Sequence, residues 1–253
     1  MKLNYSLKGF ESAKNTLVFL HGFLEDSSMW ETMADDFSQR EFRCVLIDLP
    51  CHGKSRFEGK SCSVQKMATL VEGLLRKLNI ESPTLIGHSL GGYVGLELLK
   101  IRSLKLILLH SNFWADPDEK KRDRDRVIGL VQKAKDLFIQ EAIPHLFYEK
   151  NREKCAGTIV ELISKAKEIP AVEIAACTAG LRDRRAHYEL FSRHQIDIIH
   201  GENDPILPMT LLETEMAKID KKARVHFIPD CGHMGIWEAP EALQKILFSI
   251  IPV

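Results

Sequence analysis

The sequence predicts an α/β fold with a mostly parallel central sheet, and three observations lead there. Up to Leu109, short apolar runs of strand length alternate with stretches of helical periodicity. Several of those runs end in a turn that contains glycine, as at Gly22, Gly87 and Gly201. The alternation stops after Asn112 and resumes at Ile196, so one sheet is interrupted by an insertion. Strands joined by helices pair in parallel through right-handed crossovers, and ligands then bind beyond the carboxyl ends of the strands.

Taken in order, residues 2–7 alternate enough for a strand, and Thr16-Leu17-Val18-Phe19-Leu20 is continuously apolar, as strands buried on both faces are. That run enters His21-Gly22-Phe23, after which Ser27 or Ser28 is expected to cap a helix carrying Trp30, Met33 and Phe37 on one face. Cys44-Val45-Leu46-Ile47 is the next strand. It leads through the turn at residues 48–55 to a helix with Val64, Met67, Val71, Leu74 and Leu78 at helical spacing. Leu85-Ile86 runs straight into Gly87-His88-Ser89-Leu90-Gly91-Gly92, and the helix that follows has Gly91 and Gly95 four apart, which lets its backbone lie close to the sheet. Residues 104–109 give another buried strand.

Residues 112–194 contain helical patterns and no convincing strand, and are expected to form a helical cap of three or four short helices. Asp116 is expected at the N-cap of the first, Pro117 at its first position, with Asp118 and Glu119 complementing the dipole. The sheet returns at Ile196-Asp197-Ile198-Ile199-His200, followed by the breaker-rich Gly201-Glu202-Asn203-Asp204-Pro205. Arg224-Val225-His226-Phe227-Ile228 is the last strand. It leads to Gly232-His233 and a closing helix with Leu243, Ile246, Leu247 and Ile250. The core is thus expected in residues 1–111 and 195–253.

The 253 residues suffice for a large core, and 35 basic against 35 acidic side chains give no global field for nucleic acid or an anionic membrane. The six cysteines form no C-x-x-C pair, the N-terminus lacks the apolar stretch of a signal peptide, and no apolar run approaches membrane-spanning length. A cytoplasmic protein with reduced thiols is expected, without membrane insertion.

Gly-x-Ser-x-Gly between a strand and a helix is the pattern that exposes a serine hydroxyl on a sharp turn. A hydroxyl is a weak nucleophile at neutral pH, so Ser89 needs a base, and the base needs an orienting carboxylate. His233 and Asp204 each follow a late strand, which puts both on the same rim of the sheet as Ser89. Asp116 is the rival acid. The N–H groups of Leu90 and Phe23 are the expected oxyanion donors.

These landmarks, together with Asp48-Leu49-Pro50-x-His52-Gly53-x-Ser55, resemble the α/β-hydrolase superfamily over nearly the whole chain apart from the cap. The resemblance implies a sheet of seven or eight strands, with the first strand of the eight-stranded pattern open to question and the cap inserted after the sixth. It also implies a serine hydrolase that cleaves a small carboxylic ester or thioester through an acyl-enzyme, with no cofactor. The same triad serves carbon–carbon bond hydrolases and the menaquinone-pathway synthase, although Tyr93 stands where the latter usually has arginine. A ligand-binding protein on this fold is the alternative from another class.

His21, His52 and His88 are expected to satisfy loop backbone, and His110 and His200 to be strand-end residues. No pair of histidines has chelate spacing, so no metal site is expected. Residues 118–126 alternate in charge as a solvated helix face does. Trp114, Phe138 and Phe147 are candidates for lining an acyl pocket, against the plainer role of packing the cap, as are Tyr188 and Phe191.

Overall fold

Every apolar run singled out above forms a strand in the computed structural model, which describes residues 1–219 and 223–252. The strands are β1 (Tyr5–Lys8), β2 (Asn15–Leu20), β3 (Phe42–Ile47), β4 (Thr84–His88), β5 (Lys105–Leu109), β6 (Ile196–Gly201) and β7 (Arg224–Ile228). They lie in one sheet in the order β1-β3-β2-β4-β5-β6-β7. Only the edge pairing of β1 with β3 is antiparallel. A single strand precedes β2 among the described residues, so the sheet has seven strands rather than eight. With the first strand of the longer pattern lacking, β5 takes its sixth place, and the helical insertion follows it.

Both faces of the sheet are covered, which is why the central strands read as unbroken apolar runs. On β2, Leu17 and Phe19 point to one face and Val18 and Leu20 to the other. The first pair packs with Trp30 and Phe37 of α1 (Glu31–Ser38) and the 3₁₀ turn before it. The second pair meets residues of α2 (Val64–Lys77) and α3 (Leu90–Leu99). The cap of the turn before α1 is Asp26, whose carboxylate accepts from Ser28 N–H at 2.8 Å, and neither Ser27 nor Ser28. The Ser28 hydroxyl is itself a donor to that carboxylate, the stronger acceptor of the two.

Between β5 and β6 lie α4 (Asp118–Ala142), α5 (Ala156–Lys167), α6 (Ala171–Arg182) and the short α7 (Leu190–Arg193). The first is longer than the sequence pattern suggests and is broken at Ala134, where φ is −147° and ψ 52°. Lys135, just past the break, donates to the Ile169 carbonyl at 3.2 Å beyond the end of α5. Pro117, rather than Asp116, holds the N-cap position of α4. Asp116 is turned aside by two arginines, since a buried carboxylate gains more from ion pairs than from one backbone N–H. The segment supplies most of a third apolar cluster, with Val131, Ile139, Phe147, Ile159 and Leu162, which Leu24 and Met234 of the core join. Phe113, Cys177, Leu181 and Phe191 instead join the cluster on the sheet.

The chain closes with α8 (Met209–Met216), α9 (Gly235–Glu238) and α10 (Pro240–Ile250), whose Leu243, Leu247 and Ile250 are buried. All six cysteines are buried free thiols. No helix of the described residues is long and apolar enough to cross a membrane.

Candidate active site

Ser89 stands at the junction of β4 and α3 with φ +47° and ψ −110°. A left-handed φ costs a residue with a side chain about 1–3 kcal/mol and persists only where the surroundings impose it. Here they do. A Cβ on Gly87 would lie 2.5 Å from the Gly91 carbonyl, and one on Gly91 would lie 2.4 Å from the Leu20 carbonyl oxygen. The Ser89 N–H donates to Leu109 O at 3.0 Å, and its carbonyl accepts from Ser111 Oγ at 2.7 Å. The main chain is tied down on both sides while the side chain opens on a cavity of about 640 Å³, the space at its mouth included.

His233 opens on the same cavity. Its Nδ1–H donates to Asp204 Oδ2 at 2.7 Å, and in a neutral ring with that tautomer Nε2 is the acceptor. Asp204 is 3 % exposed. Its other oxygen accepts from Ile206 N–H at 2.8 Å and Leu207 N–H at 3.0 Å. Burial works to raise its carboxyl, but the neighbouring His233 and His110 rings together prevail and hold it well below the usual carboxylate range. Asp116 is bound to Arg124 and Arg184. Leu90 opens α3, whose first N–H groups have no acceptor in the helix, and the Phe23 N–H has no acceptor among the described residues. Leu90 and Phe23 both line the cavity.

Of the three aromatic candidates, Phe138 lines the cavity. Trp114 does not, being packed edge-on against Phe113 with ring centroids 5.2 Å apart. Phe147 is fully buried in the cluster between the helices. His21 and His52 serve loop backbone: His21 Nε2 accepts from Leu49 N–H at 2.9 Å, and His52 Nδ1 donates to Pro50 O at 3.0 Å.

His88 does more than that. Its Nδ1–H donates to Glu25 Oε2 at 2.9 Å and its Nε2–H to the His233 carbonyl at 2.9 Å, so the ring donates twice and is an imidazolium. Burial opposes that charge, but the Glu25 carboxylate outweighs burial and raises His88; the His88 charge in turn keeps Glu25 low against its own burial. Glu25 Oε2 also accepts from Gly22 N–H at 2.6 Å. A Cβ at position 22 would lie 2.7 Å from both Glu25 Oε2 and His88 Nδ1, which is why glycine stands there. One buried ion pair thus links the loops that carry Phe23, Ser89 and His233. Nothing in the sequence marks Glu25, which reads as a loop acid until the fold carries it beneath β4.

Among the described residues no group of three His, Cys, Asp or Glu side chains is arranged to hold a metal ion. Comparison with known proteins gives esterases and an acetyltransferase component. A thermophilic esterase from Thermogutta terrifontis superposes with a TM-score of 0.88 at 25 % identity, over 98 % of this chain and 92 % of that one. The chain is 27 % identical to a pimeloyl-[acyl-carrier protein] methyl ester esterase from Nitrosomonas europaea, over 89 % of its own length and 91 % of the relative's. It is 25 % identical to a dihydrolipoyllysine-residue acetyltransferase component of an acetoin cleaving system from Pseudomonas putida, over 93 % of its length but 63 % of that longer protein. The family model matches residues 17–245, and on that match, with the sheet order and the turn at Ser89 as found, the chain belongs to the alpha/beta hydrolase family.

Proposed function

We propose that the protein is a serine hydrolase that cleaves a small carboxylic ester or thioester through Ser89, His233 and Asp204. The observation that carries this is the 2.7 Å bond from His233 Nδ1 to a buried Asp204, with Ser89 in a left-handed corner on the same cavity. His233 Nε2 takes the Ser89 proton as Oγ attacks the carbonyl carbon. The C=O electrons move to oxygen, where the N–H groups of Phe23 and Leu90 receive the negative charge. Collapse expels the alcohol or thiol, which takes its proton from His233. Water, deprotonated by the same imidazole, then attacks the acyl-enzyme and releases the acid. Asp204 holds the imidazole in the tautomer this requires and offsets the charge it acquires.

Residues 112–194 act as the lid in this proposal, because Phe138, Ala142, Leu146 and Leu181 from this segment line the cavity that Ser89 opens on. The Leu146 carbonyl also accepts from His233 N–H at 2.9 Å, so the lid and the base share a contact. The esterase names among the relatives support the ester chemistry. A fluorophosphonate probe tests it: the folded protein is expected to form one adduct, at Ser89 by peptide mass spectrometry. Folded protein that stays unlabelled would sink the proposal.

A further inference from the structure

One charge in the cavity has no part in acyl transfer. Arg124, on the first stretch of α4, is the one lysine or arginine among the described residues that line it. Its Nε donates to Asp116 Oδ2 at 2.5 Å, and Arg184 Nη1 reaches Asp116 Oδ1 at 2.7 Å. A single carboxylate therefore serves two guanidinium groups.

The two arginines are placed differently. The Arg184 side chain is 4 % exposed, its guanidinium lies 4.4 Å from the centre of the Tyr93 ring, and Nη1 also donates to Leu181 O at 3.3 Å. It is fixed and covered. The Arg124 side chain is 18 % exposed, and neither of its Nη groups has an acceptor among the described residues. The other acids nearby are engaged: Glu25, on the cavity wall, by His88 and Gly22, and Asp125 and Asp183 by Arg182. A guanidinium held by its Nε presents the Nη edge outward, the edge that matches a carboxylate with two parallel bonds. A guanidinium edge that lacks an acceptor on a largely apolar wall is unfavourable, and becomes favourable when a ligand supplies a carboxylate to it.

We propose that Arg124 receives a carboxylate carried by the substrate away from the scissile bond, so that the enzyme prefers half-esters or half-thioesters of dicarboxylic acids over neutral esters of the same length. The proposal rests on the ester-hydrolase reading for what that carboxylate is attached to. Phe138, Leu146 and Ile206 fit the methylene chain between the two ends. Asp116 and Arg184 act as positioning residues that aim the Arg124 fork.

A binding test separates this from the catalytic proposal. Monomethyl adipate and dimethyl adipate, which differ in one carboxylate, are titrated calorimetrically into Ser89→Ala protein, which needs no turnover. The monoanion is expected to bind at least tenfold tighter. Arg124→Gln in that background is expected to abolish the difference, and Arg124→Lys to keep part of it, with thermal melts showing that each variant is folded. Equal affinity for the two esters, or a preference that survives Arg124→Gln, would overturn the anion site even if wild-type protein hydrolyses dimethyl adipate. A preference that Arg124→Gln removes, in a protein whose Ser89 takes no fluorophosphonate, would uphold the anion site and defeat the serine mechanism instead.

Discussion

The two walls of the cavity are held in different ways. On the sheet side, position is set by the main chain: Ser89 is fixed through Leu109 and Ser111, Gly87 and Gly91 leave no room for a Cβ, and the Glu25–His88 pair binds Gly22 to the His233 carbonyl. On the helical side, α4 and α6 contribute side chains, namely Arg124, Phe138, Ala142 and Leu181, and the outer face of α4 is charged and exposed. Backbone that is tied at several points cannot shift without breaking all the ties, whereas a side chain on a helix can be exchanged alone. Substitutions on the sheet wall should therefore alter rate, and those on the helical wall should alter which substrate is used.

The largest expected effect is Ser89→Ala, which should lower kcat on a p-nitrophenyl ester by about 10⁴- to 10⁶-fold. Residual activity near the wild-type level would remove the nucleophile from the sheet wall. Asp204→Asn should reduce kcat by about 10⁴-fold through loss of the His233 tautomer; a larger loss for Asp116→Asn, measured alongside, would move the acid to the other wall. Glu25→Gln should lower kcat by about 10²-fold with KM nearly constant, since a small misplacement of reacting groups has that scale of effect. Imidazole ¹⁵N spectra should show His88 losing its second proton in that variant, and an unchanged His88 signal would mean that Glu25 does not hold the charge. Phe138→Ala, on the helical wall, should instead change kcat/KM by roughly tenfold, and differently for short and long acyl chains. A uniform loss across chain lengths would blur the distinction between the walls.

The smallest effect concerns stability away from the cavity. Burial works to raise the Glu97 carboxyl, but hydrogen bonds from His187 and Lys100 bring it from 4.5 down to about 2. Because its pKa is lower folded than unfolded, the stability it contributes is complete above pH 4.5 and disappears as the pH falls toward about 2. Urea melts across that range should flatten in Glu97→Gln, and an equally steep acid loss would place the effect elsewhere.

Much of the sheet wall is legible in the chain because its determinants are local. An apolar run, a glycine two residues before Ser89 and another two after it fix strand, corner and helix from neighbouring residues alone. Histidine and aspartate at late strand ends follow by the same logic. The helical wall is less so: residues 112–194 read as three or four short helices, yet α4 alone runs for 25 residues with a break at Ala134, and Trp114 and Phe147 look no different in sequence from Phe138, although Phe138 alone of the three lines the cavity. A helix patterns its buried face without saying what lies against it.

The sequence by itself therefore determined the strands, their mostly parallel pairing, and the three residues proposed to carry the chemistry, since periodicity and turn chemistry act over a few residues. Only the tertiary structure decided which acids stand where. Asp116 went to two arginines instead of a helix cap, Glu25 became the buried partner of His88 across 63 positions, and Arg124 was left on the cavity wall with its outer edge unpaired among the described residues. Charges choose partners by distance and burial, and those exist only once the chain has folded.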